Sequence, residues 1–71
     1  MKNPFGPHPT PEEIKALRAR TMLTQTAFGA MLFVRMRTVQ DWESGRNDMP
    51  LGLWELARIK VEKMEKSVPG T

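Results

Sequence analysis

The chain has 71 residues, a formal net charge of +3 and no cysteine. That length suits one small domain whose core must hold without disulfides, and the missing cysteine excludes any thiolate metal site. No apolar run approaches the ~20 residues that cross a bilayer. The start, MKNPFGPHP, also lacks the apolar core of a signal peptide. A soluble, cytoplasmic protein is therefore expected.

The first nine residues carry Pro4, Pro7 and Pro9 with Gly6, so 1–9 reads as a flexible Pro-rich arm rather than a regular element. Within it Phe5 is placed to pack back on the domain and Lys2 to reach a phosphate, against the plainer reading of an untethered tail. His8, the only histidine, supplies at most one metal ligand. The domain is expected over 10–66.

A strong start signal follows. Thr10 suits an N-cap, Pro11 the first helical position, and Glu13 the reciprocal place of a capping box. Ile14 and Leu17 give the buried stripe of a helix at about 11–21, whose exit Met22 or Leu23 covers. Thr24 is the next cap candidate. After it Ala27, Phe28, Met31 and Leu32 recur at helical spacing. Phe33 and Val34 form a turn.

A third helix at about 36–44 then buries Val39 and Trp42 and ends at Gly45, a left-handed C-cap. Residues 46–50 read as a loop. Pro50 opens a last helix at about 51–66, with Leu53, Trp54, Ala57, Val61 and Met64 available for burial. Lys63 and Lys66 suit its negative end, and 67–71 reads as a disordered tail. There is no internal repeat and no strand-like alternation, so the chain reads as all-α.

The functional signal lies in LTQTAFGAMLFVRMRTVQDWESG, residues 23–45. Arg35, Arg37 and Arg46 fall close together while Glu12 and Glu13 stand far off. Clustered cations favour a polyanion, with a solvated charged face as the plain alternative. A helix that buries Val39 and Trp42 turns Met36, Arg37, Gln40 and Asp41 outward, which suits the DNA major groove. Arg37 matches guanine O6 and N7, Gln40 offers a donor and an acceptor, and Met36 suits a thymine methyl. Asp41 accepts from a cytosine N4 or orients Arg37 at the four-residue helical spacing. Arg35 joins this base-reading set. Gln25 begins a helix, where free N–H groups and the dipole attract a phosphate. Thr24, Thr38, Ser44, Arg46 and Asn47 are the further phosphate candidates. Leu56 and Ile59 fall outside the stripe centred on Trp54, Ala57 and Val61. They form either a dimer contact or the edge of a broad internal face.

Region 10–50 resembles the phage Cro and repressor type of helix-turn-helix domain, the XRE family. The resemblance rests on Ile14, Leu17 and Arg18, on Leu23-Thr24-Gln25 and Phe28, and on Val34, Thr38-Val39, Trp42-Glu43-Ser44-Gly45 and Pro50. It implies a lambda-repressor-like compact bundle of four to five helices. It also implies a phosphate grip by Gln25 and a partly buried ion pair between Arg18 and Glu43. Three positions depart from the pattern. Phe33 stands where Gly is common because the backbone there tends to be left-handed. Arg35 replaces a capping Ser or Thr. Met36 replaces a Gln that pairs with the residue matching Gln25.

The function implied is that of a sequence-specific double-stranded DNA-binding transcription regulator. It would be a small homodimeric repressor of a phage, prophage or plasmid operon, acting on an operator with approximate two-fold symmetry. The antitoxin of a toxin–antitoxin pair is a variant of that reading, with the toxin as protein partner. The other class is a protein-interaction module on the same scaffold, with Met36 and Phe33 on its binding face. No catalytic activity, cofactor or separate ligand-sensing domain is expected, since no metal-ligand spacing or glycine-rich phosphate loop occurs.

Overall fold

A computed structural model describes residues 8–66, and the expectations for 1–7 and 67–71 lie outside them. The described residues form four helices and no strand: α1 (Pro11–Thr21), α2 (Gln25–Met31), α3 (Met36–Ser44) and α4 (Leu51–Lys66). No helix among them is long and apolar enough to cross a membrane.

Local chemistry explains the boundaries. Thr10 accepts from the Glu13 N–H at 3.1 Å while its own N–H donates to Glu13 Oε1 at 2.8 Å. These reciprocal bonds and Pro11 in the first turn fix the start of α1. Thr24 caps α2 by accepting from the Ala27 N–H at 3.1 Å. Gly45 ends α3 at φ 83°, in the left-handed region where a glycine meets no steric cost. Met22 ends α1 at φ 60°; it is exposed, and Leu23 is the exit residue that packs against the core.

The core is one cluster. Ile14 and Leu17 of α1, Phe28 of α2, Leu32, Val39 and Trp42 of α3, and Trp54, Ala57 and Val61 of α4 are all buried. Met49 joins them with no exposed surface, although it sits in the loop before α4, where no periodicity marks it. Pro9 is buried too, and His8 Nε2 lies 3.2 Å from Asp48 Oδ2. The residues just before α1 thus rest against the loop that follows α3.

Two α4 positions differ from the helical-stripe expectation. Met64 is 42% exposed because it falls in the final turn, past Val61, the last buried core residue. Leu56 is half-buried and packed against the core. Of the pair set outside the main stripe, Ile59 is the one left open, at 53% exposure.

Helices α2 and α3 pack closely, joined by the short turn over 32–35. Gly29 makes this approach possible. A Cβ there would stand 2.8 Å from the Val34 carbonyl oxygen and 3.2 Å from Val39 Cγ2. Val34 also donates its N–H to the Gly29 carbonyl at 2.9 Å. Helix α3 also packs against α1, and its Val39 and Trp42 lie in the core that the helices share.

Candidate nucleic-acid interface

The face of α3 away from the core begins at Arg35, the N-cap residue. Its backbone is extended and no side chain caps the helix, since a guanidinium cannot accept an N–H. The Thr38 N–H turns back to the Arg35 carbonyl at 3.0 Å, so it is the N–H groups of Met36 and Arg37, with the positive end of the helix dipole, that no side chain of Arg35 covers against an anion. Arg35, Met36 and Arg37 are all exposed around this opening. Thr38, Gln40 and Asp41 are half-buried on the flanks, and Val39 and Trp42 turn inward.

Asp41 organises the middle of the face. Arg37 Nε donates to its Oδ1 at 3.4 Å one helical turn away, and Asn47 Nδ2 donates to its Oδ2 at 3.3 Å. Arg46 Nε lies 3.7 Å from the same carboxylate. Ser44 Oγ donates to the Asp41 carbonyl and accepts from the Arg46 N–H. One carboxylate therefore gathers Arg37, Arg46 and Asn47. The bond to Arg37 uses Nε and leaves the two outer guanidinium nitrogens for a partner. This geometry favours Asp41 as the group that orients Arg37 over Asp41 as a base acceptor.

A second network ties α3 to α1 and α2. Arg18 grips Glu43 in a two-pronged ion pair, Nε to Oε2 at 2.7 Å and Nη2 to Oε1 at 3.0 Å, and Nη1 donates to the Leu23 carbonyl. Glu43 is only 5% exposed. Burial alone would push its carboxyl up. Hydrogen bonds from Arg18 and Gln25, with the charges of Arg18 and Lys15, outweigh that and hold it below the usual carboxylate range. The hydrogen bond with Glu43 raises Arg18 in turn, against the opposing effect of burial.

Gln25 extends this network toward the surface. Its Nε2 donates to Glu43 Oε1 at 3.1 Å, and its Oε1 accepts from Gln40 Nε2 at 3.4 Å. Gln40, one turn beyond Met36, thus supplies the glutamine partner that Met36 cannot. Both ends of the Gln25 amide face protein, so any phosphate grip there falls chiefly to the second amide proton and the N–H groups opening α2. The Thr24 hydroxyl is committed as the α2 cap.

The turn holds the departure at Phe33. Its φ is 62°, left-handed, and the ring is 85% exposed. Lys60 of α4 places its Nζ 4.8 Å from the ring centroid and donates to the Met31 carbonyl at 2.7 Å. Sequence reasoning missed Lys60 because it lies far along the chain in a helix with other claims on it. The charge pattern was legible: no Asp or Glu occurs between Glu13 and Asp41, a stretch that holds Arg35 and Arg37.

Scanned against models of protein families and against curated proteins, the chain matches none.

Proposed function

We propose that this chain is a sequence-specific double-stranded DNA-binding transcription regulator of the Cro and repressor type, with no catalytic role. In this reading it is a small homodimeric repressor of a phage, prophage or plasmid operon, or the antitoxin of a toxin–antitoxin pair. Helix α3 of each protomer enters the major groove, the two insertions lying about 34 Å apart on an operator of approximate two-fold symmetry. Arg37 reads guanine, with Arg35, Met36 and Gln40 beside it and Asp41 holding Arg37 in place. Arg46, Asn47, Ser44, Thr38 and the amide ends of α2 contact phosphates and set register. Ile59, with Leu56 at its edge, forms the contact between protomers.

The observation that carries this reading is the uncapped start of α3, where Arg35, Met36 and Arg37 are exposed on a helix whose other face is fixed in the core. Binding of labelled duplex DNA measured across salt concentration tests it. With about six or more phosphate contacts, affinity falls ~10³-fold or more between about 50 and 200 mM salt. Absence of duplex binding at low salt would refute the reading.

The exposure of Phe33 and Met36 favours one other reading, a module that binds protein through this end of α3. A contact of that kind, made through apolar surface, barely responds to the same change in salt.

A further inference from the structure

Phe33 has a backbone conformation that works against its own chemistry. At φ 62° a side chain is strained, and a glycine would carry the same turn without that cost. The ring recovers little by burial, being 85% exposed. What holds it is Lys60, whose ammonium stands over one ring face while anchored to the Met31 carbonyl. The turn thus presents a fixed aromatic ring whose remaining surface is open to solvent.

The surroundings narrow what covers that surface. Phe33 precedes the opening of α3 by a few residues, with exposed Arg35, Met36 and Arg37 just beyond it. Lys60 adds a cation, and the chain carries no carboxylate between Glu13 and Asp41. The complementary surface is apolar and lies beside negative charge. The rim of a DNA groove has that composition, with deoxyribose and thymine methyl groups next to phosphates.

We propose that Phe33 is a DNA-contacting residue, its ring laid against deoxyribose or a thymine methyl at the groove rim. Lys60 is the positioning residue that holds the ring. This rests on the DNA-binding reading above, and it assigns to DNA a residue that the protein-interaction reading would give to a protein.

The test uses the full chain and labelled duplexes that the wild-type protein recovers from a random pool. Phe33→Gly and Phe33→Asn both accept the left-handed turn, and Phe33→Tyr keeps the ring. The Gly and Asn variants should melt within a few degrees of wild type and bind the recovered duplex about fivefold or more weakly. That is the scale of uncovering part of an aromatic side chain. Phe33→Tyr should bind within about twofold of wild type. Salt dependence should be the same for Phe33→Gly and wild type, because an uncharged ring displaces no counterion. Lys60→Met should weaken binding more when Phe33 is present than once it is Gly, the remainder in the Gly background being the loss of its charge beside phosphates.

Wild-type affinity in Phe33→Gly would overturn the assignment and leave the DNA-binding reading standing. Failure of both the Gly and Asn variants to fold would assign the ring to stability and overturn it likewise. An equal loss from Lys60→Met in both backgrounds would remove Lys60 as the positioning residue. Failure of the wild-type protein to bind any duplex would remove the assignment together with the reading beneath it.

Discussion

Helices α1 and α3 both start from an extended residue, and the two starts are built in opposite ways. At α1, Thr10 and Glu13 exchange hydrogen bonds, Pro11 occupies the first turn, and Glu12 and Glu13 answer the positive end of the dipole. At α3 the corresponding place holds Arg35, no side chain caps the helix, and the first turn carries Arg37 and no acid. The first arrangement satisfies its own backbone. The second adds positive charge to a positive end, which lowers the stability of the free protein and favours an anionic partner. The contrast teaches where stability has been given up, and the reading proposed here is that DNA fills the gap.

The largest effect is expected where the open helix is fastened to the closed one. Glu43→Ala leaves Arg18 without its carboxylate in a partly buried site and should cost ~3–5 kcal/mol. In a domain this small, thermal melting should show it largely unfolded. The pH dependence follows from the same group. The Glu43 carboxyl is held low in the folded state, so its stabilising contribution is complete above the ordinary carboxylate pKa of about 4.3. It is lost as pH falls through the lower folded value. Glu65, held low first by its hydrogen bonds from Arg20, acts in the same direction from an exposed position. The melting temperature should fall on acidification below about pH 4, and in Glu43→Gln the fall should be shallower.

Arg37→Ala comes next, with a cost of ~1–3 kcal/mol at one base pair of the operator. Binding titrations against operators changed one pair at a time should show lost preference there and unchanged preference elsewhere. Equal weakening on every sequence would make Arg37 a phosphate contact. The smallest and sharpest test exchanges the character of the two helix starts. Arg35→Ser supplies the missing cap and should stabilise the fold by about 0.5–1 kcal/mol while weakening DNA binding. Thr10→Ala should cost ~1 kcal/mol of stability and leave DNA affinity of the folded fraction unchanged. If Arg35→Ser raised both stability and affinity, the open start would have no functional meaning.

Much of this architecture was legible in the sequence because caps and helical periodicity are local. Thr10, Pro11 and Glu13 mark one boundary, Thr24 another and Gly45 a third, and Val39 with Trp42 orients α3. The illegible parts depend on what meets in space. Met49 lies in a loop, so no pattern announces its burial. Gly29 gives no sign that a carbonyl and a valine stand where its side chain would be. The Gln25 amide reads as a surface group until the approach of α2 to α3 puts Glu43 on one side of it and Gln40 on the other. Met64 keeps the helical register of the core yet falls in the last turn of α4, past its last buried residue. Within the site, the exposure of Met36 and Arg37 followed from the inward residues of α3, whereas Gln40 and Asp41, also expected outward, are half-buried against Gln25 and the loop after Gly45. The gathering of Arg46 and Asn47 onto Asp41 depended on the course of the loop after Gly45.

Selection of bound duplexes from a random pool bears most directly on the central claim that the open start of α3 reads DNA. Recovery of two half-sites in inverted orientation is expected, spaced by about one helical turn, with guanine fixed at the position that loses its preference in Arg37→Ala. A recovered pool with no shared sequence, or one unchanged when Arg37 is replaced, would contradict it.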